Sequence, residues 1–248
     1  MCFNFLNGLD MLGIFSKTTD STFIESLGLT GFDFVIIDQE HGPVSKEKLY
    51  HHVSSAKLGE VLPIVRVAEN NHNLIGSALD AGAAGVQVPN ISSVNEAQAA
   101  VSAARFFPLG ERGVCRFVSA AAFGEKKKSE YFSESNEKLL ILQVEGVDGV
   151  RSLPDILDIS GFDILFVGPY DLSQSLGVPG EITHPKVRKE ILKIKELASA
   201  RSVKLGSFAD TVETYRFLKE NGFEYIAYSV DINLFISGLK YVKTQLCE

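Results

Sequence analysis

Ionisable and amide side chains recur in this sequence at the ends of short apolar runs. Asp38, Glu40 and His41 follow FDFVII, Arg66 closes LPIV, and Gln87 lies within AGVQVPN. Gln143 and Glu145 end LLILQVE, and Asp171 follows Gly168, Pro169 and Tyr170 after DILFV. Two carboxylates with room for water suit Mg2+ or Mn2+, hard cations that take oxygen ligands in octahedral geometry. Glu145 and Asp171 form such a pair; the competing reading makes each an ordinary solvated carboxylate. A 2-oxo acid offers a metal two more oxygens, from its carboxylate and keto group, and the metal then acts as a Lewis acid on a developing enolate. Asp38 and His41, three residues apart on a turn, have the composition of a general-base pair, in which the carboxylate orients the ring and raises its basicity. Arg66 sits in an apolar segment, where an unpaired cation is costly. It needs Asp38, Glu40 or a ligand. His51, His52, His72 and His184 read as surface histidines.

The elements that would position these residues follow one rhythm. Strands are expected at 12–17, 32–38, 62–67, 84–90, 139–145, 163–171, 204–209 and 224–230, with an amphipathic helix after each. Strands that alternate with helices imply a parallel sheet. Their continuous apolar character implies burial on both faces. Eight such units in 248 residues imply a closed (β/α)8 TIM barrel, read as a single domain over 1–248. In that fold the chemistry lies at the C-terminal ends of the strands, where the acids, His41 and Arg66 fall. The stretch 107–137 is too long for an ordinary connection and reads as a functional or mobile loop. Its Lys126, Lys127 and Lys128 read as a solvated surface patch.

Composition removes several classes. The net charge of −7 argues against nucleic-acid binding, which needs a basic face. Cys2, Cys115 and Cys247 are scattered and form no CxxC pair, so neither a disulfide framework nor a zinc knuckle is supported. There is no GxGxxG or Walker motif and no Gly-rich phosphate loop after the last two strands. A Schiff-base mechanism is disfavoured: Lys17 and Lys204 are the nearest candidates, and Lys204 falls at the wrong end of its strand. The start, MCFNFLNGLDMLGIF, has no basic residue ahead of its apolar ones and no 18-residue apolar run, so a cytoplasmic protein without a membrane span is expected.

Taken in order, FDFVIIDQEHGP, PIVRVAE, LDAGAAGVQVPNISSVNEA, FPLGERGV, LQVEG, GFDILFVGPYDLSQSLGVPGEITHP and YSVDINLF span about residues 12 to 235. This pattern resembles the HpcH/HpaI aldolase family, metal-dependent class II pyruvate aldolases of the 4-hydroxy-2-oxoheptanedioate or 2-keto-3-deoxy-sugar-acid type, related to citrate lyase β subunits. The resemblance implies a barrel of the phosphoenolpyruvate/pyruvate type. It makes Glu145 and Asp171 ligands of a divalent metal (Mg2+, Mn2+ or Co2+) and His41, paired with Asp38, the acid/base. Arg66 would hold the keto or enolate oxygen of pyruvate, and Gln143 would support metal-bound water or substrate. Gly168 and Pro169 lead to the backbone N–H groups of Tyr170 and Asp171, which would bind the pyruvate carboxylate. The reaction implied is reversible cleavage of a 4-hydroxy-2-oxo acid to pyruvate (or oxaloacetate) and an aldehyde. Family members commonly exchange the last helix between subunits, which implies a homo-oligomer, a hexamer or trimer of dimers, with Leu234, Phe235, Ile236, Leu239 and Tyr241 at the interface. Packing of that helix on its own barrel is the alternative.

Some positions depart from the family's usual pattern. Tyr170 stands where many members have a small residue, Gly146 replaces Thr or Ser, Ser229 replaces a frequent Gly, and Cys115, Arg116 and Phe117 differ in the long loop. Arg112 and Arg116, if free, would suit a short acidic substrate. Two other readings stand beside the aldolase: a citrate-lyase-like acyl-CoA lyase, opposed by the lack of a basic nucleotide patch, and a non-catalytic barrel with a binding or assembly role.

Overall fold

β-Branched and aromatic runs of four to six residues form eight parallel strands: β1 (Met11–Ser16), β2 (Phe34–Asp38), β3 (Leu62–Arg66), β4 (Gly85–Val88), β5 (Leu139–Val144), β6 (Ile164–Val167), β7 (Lys204–Ala209) and β8 (Tyr225–Val230). They pair in sequence order, and β8 returns to β1, closing the barrel. The computed structural model describes residues 10–247; Cys2 and most of the N-terminal apolar stretch lie outside the described residues. The helices are α1 (Ser21–Ser26), α2 (Lys46–Leu58), α3 (His72–Asp80), α4 (Val94–Ala104), α5 (Lys128–Asn136), α6 (Val147–Ile156), α7 (Pro169–Ser175), α8 (Pro185–Ser199), α9 (Val212–Glu220) and α10 (Asp231–Cys247). None of the described helices is long and apolar enough to cross a membrane.

Side chains alternate across a strand, and the barrel divides them into two cores. Phe15, Phe34, Ile36, Ile64, Ile141, Ile164, Phe166 and Tyr225 fill the lumen. Val35, Ile37, Val65, Val86, Leu140, Leu142 and Leu165 face outward against the helices. The lumen parity carries on to the C-terminal strand ends. Ile36 therefore leads to Asp38, Ile64 to Arg66, and Ile141 to Gln143. Helix starts are fixed locally: Ser45 caps α2, Asn71 caps α3, and Ser93 with Glu96 forms a reciprocal capping box on α4. Such a cap contributes about 1 kcal/mol.

The structure departs from the sequence reading at several points. The sixth strand stops at Val167, and Pro169 opens α7 in the place of strand residues. Proline is suited to a helix's first turn because its missing N–H is unpaired there in any case. The stretch 107–137 carries α5 and a 3-10 turn over Ser119–Gly124. Arg105, just before it, anchors it by donating to the carbonyls of Asn136, Lys138 and Gly161. Lys127 and Lys128 are exposed as expected of a surface patch, Lys127 beside Glu130, whereas Lys126 is half-buried and pairs with Glu134. Arg112 and Arg116 are not free. Arg112 is buried on Asp80 at 2.6 Å, and Arg116 donates to the carbonyls of Gly124 and Lys126. His52 is fully buried between the Ser21 hydroxyl and the Thr18 carbonyl, and His184 caps α8. Ser229 adopts φ 60°, a left-handed conformation that glycine takes without strain. On α10, Phe235, Ile236, Leu239 and Tyr241 are exposed, and only Leu234 packs partly on the outer core.

Candidate active site

Asp38 ends β2 fully buried in the lumen and is the hub of one half of the barrel mouth. Arg66, its neighbour in register on β3, clamps it with two parallel bonds, Nε to Oδ1 at 2.9 Å and Nη2 to Oδ2 at 2.8 Å. The backbone N–H groups of Glu40 and His41 donate to Oδ1, and Lys17 Nζ lies 3.5 Å from Oδ2. Burial alone would raise the Asp38 carboxyl, but the hydrogen bonds and charge of Arg66 outweigh it and hold the group below the ordinary carboxylate value. Arg66 also places Nη1 3.0 Å from Glu40 Oε2 and stacks its guanidinium 4.7 Å above the Phe15 ring. Both anionic partners foreseen for it are therefore present.

Glu145, one residue beyond β5, is the hub of the other half. Its Oε2 accepts from Gln143 Nε2 at 2.6 Å and its Oε1 from the Asn90 N–H at 2.9 Å. Gln143 Oε1 accepts in turn from Gln87 Nε2, so three buried side chains form one chain from β4 to β5. Burial pushes the Glu145 carboxyl up to about 7, and the negative charges of Glu40 and Asp171 add to this. Gly168 lies so close that a Cβ there would sit 2.3 Å from Glu145 Oε2 and 2.8 Å from its Cβ. Asn90 joins the two halves: its side chain donates to Glu40 Oε1 at 3.0 Å while its N–H holds Glu145. It does so at φ 57°, a conformation asparagine tolerates better than most residues.

Asp171 lies exposed in the first turn of α7. No side chain caps that turn at Gly168, and the first N–H groups of a helix have no intrahelical acceptor. The ring of Tyr170 packs against Phe208 of β7, centroids 5.9 Å apart, and its hydroxyl donates to Asp210 Oδ2 at 2.9 Å. Burial first, then that bond and the Asp210 charge, push the Tyr170 hydroxyl up to about 12, so it stays protonated.

The expected pairing of His41 with Asp38 takes a different form. Asp38 reaches His41 only through the backbone N–H; its oxygens are occupied by Arg66. The His41 side chain is 58% exposed, and its Nε2 lies 3.9 Å from Glu40 Oε2. Glu40, not Asp38, is thus the carboxylate beside the ring. Glu40 Oε2 is buried without a partner in hydrogen-bonding geometry, although Arg66 Nη1 is close. Burial, followed by the opposing charges of Arg66 and His41 and the reinforcing ones of Asp38 and Asp171, leaves the Glu40 carboxyl raised. Asn90 and Asp210 are given no part in the site by the sequence, and Lys17 enters there only as a disfavoured Schiff-base residue. A polar residue one or two positions past a strand end is the signal each carries.

Glu40 and Glu145 are both raised carboxyls that feel the Asp171 charge, and with the orphaned Glu40 oxygen these oxygen donors fit a hard divalent cation. No three His, Cys, Asp or Glu side chains converge on one metal position among the described residues. Two protein carboxylates with the rest of the shell from water and substrate is a mode Mg2+ commonly uses.

The family profile described as HpcH/HpaI aldolase/citrate lyase matches residues 11–238. A 2-keto-3-deoxy-L-rhamnonate aldolase from Klebsiella pneumoniae is 33% identical over 94% of this chain and 88% of its own. A 2-dehydro-3,6-dideoxy-6-sulfogluconate aldolase from Pseudomonas putida is 32% identical over 91% of this chain and 88% of its own. The crystal structure of an HpcH/HpaI aldolase/citrate lyase family protein from Burkholderia cenocepacia superposes with a TM-score of 0.92 at 30% identity, covering 97% of this chain and 95% of that one.

Proposed function

This chain belongs to the HpcH/HpaI aldolase/citrate lyase family, and from that premise we propose that it is a divalent-metal-dependent aldolase that reversibly cleaves a 4-hydroxy-2-oxo acid to pyruvate and an aldehyde. The observation that carries this reading is the arrangement of the mouth. Glu145 stands just past β5, Asp171 lies in the first turn of α7 after β6 where its charge acts on Glu145, and Glu40 and Asn90 link Glu145 to the Arg66 clamp.

Glu145 and Asp171 would hold the cation, Mg2+ or Mn2+ by the hardness of the donors, and when bound it supplies Lewis acidity to the oxygens of a 2-oxo acid. The residues of the chain do the rest. Arg66 has five N–H donors; two are hydrogen-bonded to Asp38 and Nη1 lies beside Glu40, and the donors left free meet the keto oxygen as it gains charge. Preset donors of this kind are usually the largest contribution to such a step. The N–H groups of Tyr170 and Asp171 receive the pyruvate carboxylate. In the condensation direction His41, beside Glu40, takes a proton from the pyruvate methyl carbon and leaves an enolate. The methyl carbon bonds to the aldehyde carbon, and the alkoxide so formed takes the proton back from His41. Cleavage runs the same steps backwards.

The exposed apolar residues of α10 support assembly into a homo-oligomer, which sedimentation measures directly. A cytoplasmic location is part of this proposal, which fractionation of the source cells tests. The test of the activity is deuterium incorporation into the pyruvate methyl group from D2O, before and after chelator treatment. Exchange that the chelator abolishes and Mn2+ or Mg2+ restores is expected. No exchange with any metal overturns the aldolase reading and moves the thioester lyase ahead. Unchanged exchange in His41→Ala removes His41 from the base role.

A further inference from the structure

Tyr170 and Asp210 form a polar tip on an otherwise aromatic wall. Phe15 of β1 lies under the Arg66 guanidinium, Phe208 of β7 packs on Phe15 with centroids 5.8 Å apart, and Tyr170 packs on Phe208. This wall runs from the Arg66 clamp to the residue preceding Asp171. Tyr170 is 45% exposed, so part of its side chain is open to solvent. Its hydroxyl hydrogen is committed to Asp210 Oδ2 at 2.9 Å, and the other Asp210 oxygen accepts only a long 3.4 Å bond from the Thr214 hydroxyl. What remains at the tip is acceptor capacity alone: a phenol lone pair and a carboxylate.

From this geometry we infer that Tyr170 and Asp210 set the specificity for the aldehyde, accepting hydrogen bonds from a neutral hydroxylated chain and rejecting one that ends in an anion. The inference rests on the aldolase reading and assigns the half of the substrate which that reading leaves open. An acceptor-only surface matches hydroxyl groups, which donate. A carboxylate or sulfonate there would face the Asp210 charge with no donor to compensate, and unpaired like charges are how sites discriminate. The cations that would favour an acidic aldehyde are engaged elsewhere. Arg112 is held by Asp80, Arg116 by backbone carbonyls, and Lys17 lies 3.5 Å from Asp38.

The experiment compares glyceraldehyde with succinic semialdehyde as partners for pyruvate in the presence of Mn2+, and reads the ratio of their kcat/KM values. Wild-type enzyme is expected to favour glyceraldehyde at least tenfold. Asp210→Asn, which gives the tip a donor and removes its charge, should shrink that ratio tenfold or more, mainly by lowering KM for the semialdehyde. Tyr170→Phe keeps the wall and should raise KM for glyceraldehyde more than for the semialdehyde. A wild-type preference for succinic semialdehyde, or a ratio unchanged in Asp210→Asn, overturns the inference. Pyruvate deuterium exchange on the same wild-type preparation separates the two levels. Exchange with the wrong aldehyde preference defeats this inference alone, and absence of exchange defeats the aldolase reading and this inference with it.

Discussion

Binding of a divalent cation should expel a proton, and the size of the effect follows from Glu145. Burial moves its carboxyl from the ordinary 4.5 to about 7, a preference for the neutral form of about 3 kcal/mol. A metal ligand must be deprotonated, so affinity becomes pH-dependent. At pH 6 a group titrating near 7 is about nine-tenths protonated, so each cation bound should release about 0.9 proton, falling to about 0.1 at pH 8. Apparent dissociation constants for Mn2+ should rise about tenfold per pH unit below pH 7. The linkage also has a sign for the metal-free protein. The folded state holds this proton more tightly than the unfolded one, so Glu145 makes stability fall as pH rises from 4.5 to about 7. Isothermal titration in two buffers of different ionisation enthalpy counts the protons. Glu145→Gln, compared in parallel, separates this carboxyl from Glu40, which is raised as well. Proton release near zero at pH 6, with affinity flat from pH 5.5 to 7.5, would show that Glu145 is not the protonated ligand.

Other perturbations reach different parts of the site. Gly168→Ala forces a methyl group to within 2.3 Å of Glu145 Oε2; Mn2+ affinity measured by titration should collapse while the circular dichroism spectrum is retained. Asp38→Asn leaves Arg66 without its bidentate anion in a buried site, which should cost about 3–5 kcal/mol in denaturant unfolding, and kcat should fall with it. Because Asp38 is held below its ordinary 3.8, the stability it contributes is present above that value and is lost as pH falls through the lower folded value. Gln87→Leu cuts the chain that orients Gln143 and Glu145; supporting groups of this kind are worth about 10- to 100-fold in metal affinity, and that weakening is what a Mn2+ titration of the variant should show.

The barrel was legible in the sequence because strand and helix patterns alternate eight times, and β7 falls on the expected residues, Lys204 to Ala209. Strand six was read too long because GPYD continues an apolar run, whereas Pro169 starts a helix. The long loop hid α5 because KSEYFSESN lacks a strong apolar stripe. In the site, the clustering of Asp38, Arg66, Gln143 and Glu145 could be foreseen from their places at strand ends. The pairing within it could not. Asp38 and His41 are close in sequence, but the strand turns Asp38 inward while the following loop leaves His41 at the surface, so Arg66 takes the carboxylate. His52 looked like one of several polar residues on α2, yet its face of the helix meets the barrel. Asn90 and Asp210 act across elements, through contacts with Glu40 and Tyr170 that only the closed barrel creates.

The most direct measurement is a crystal structure grown with Mn2+ and pyruvate, with the ion located by its anomalous scattering. The expected result is an ion held by Glu145 and Asp171, with pyruvate beside it, its keto oxygen toward Arg66 and its carboxylate at the N–H groups of Tyr170 and Asp171. An ion bound away from both carboxylates, or pyruvate seated with Arg66 out of reach, would contradict it.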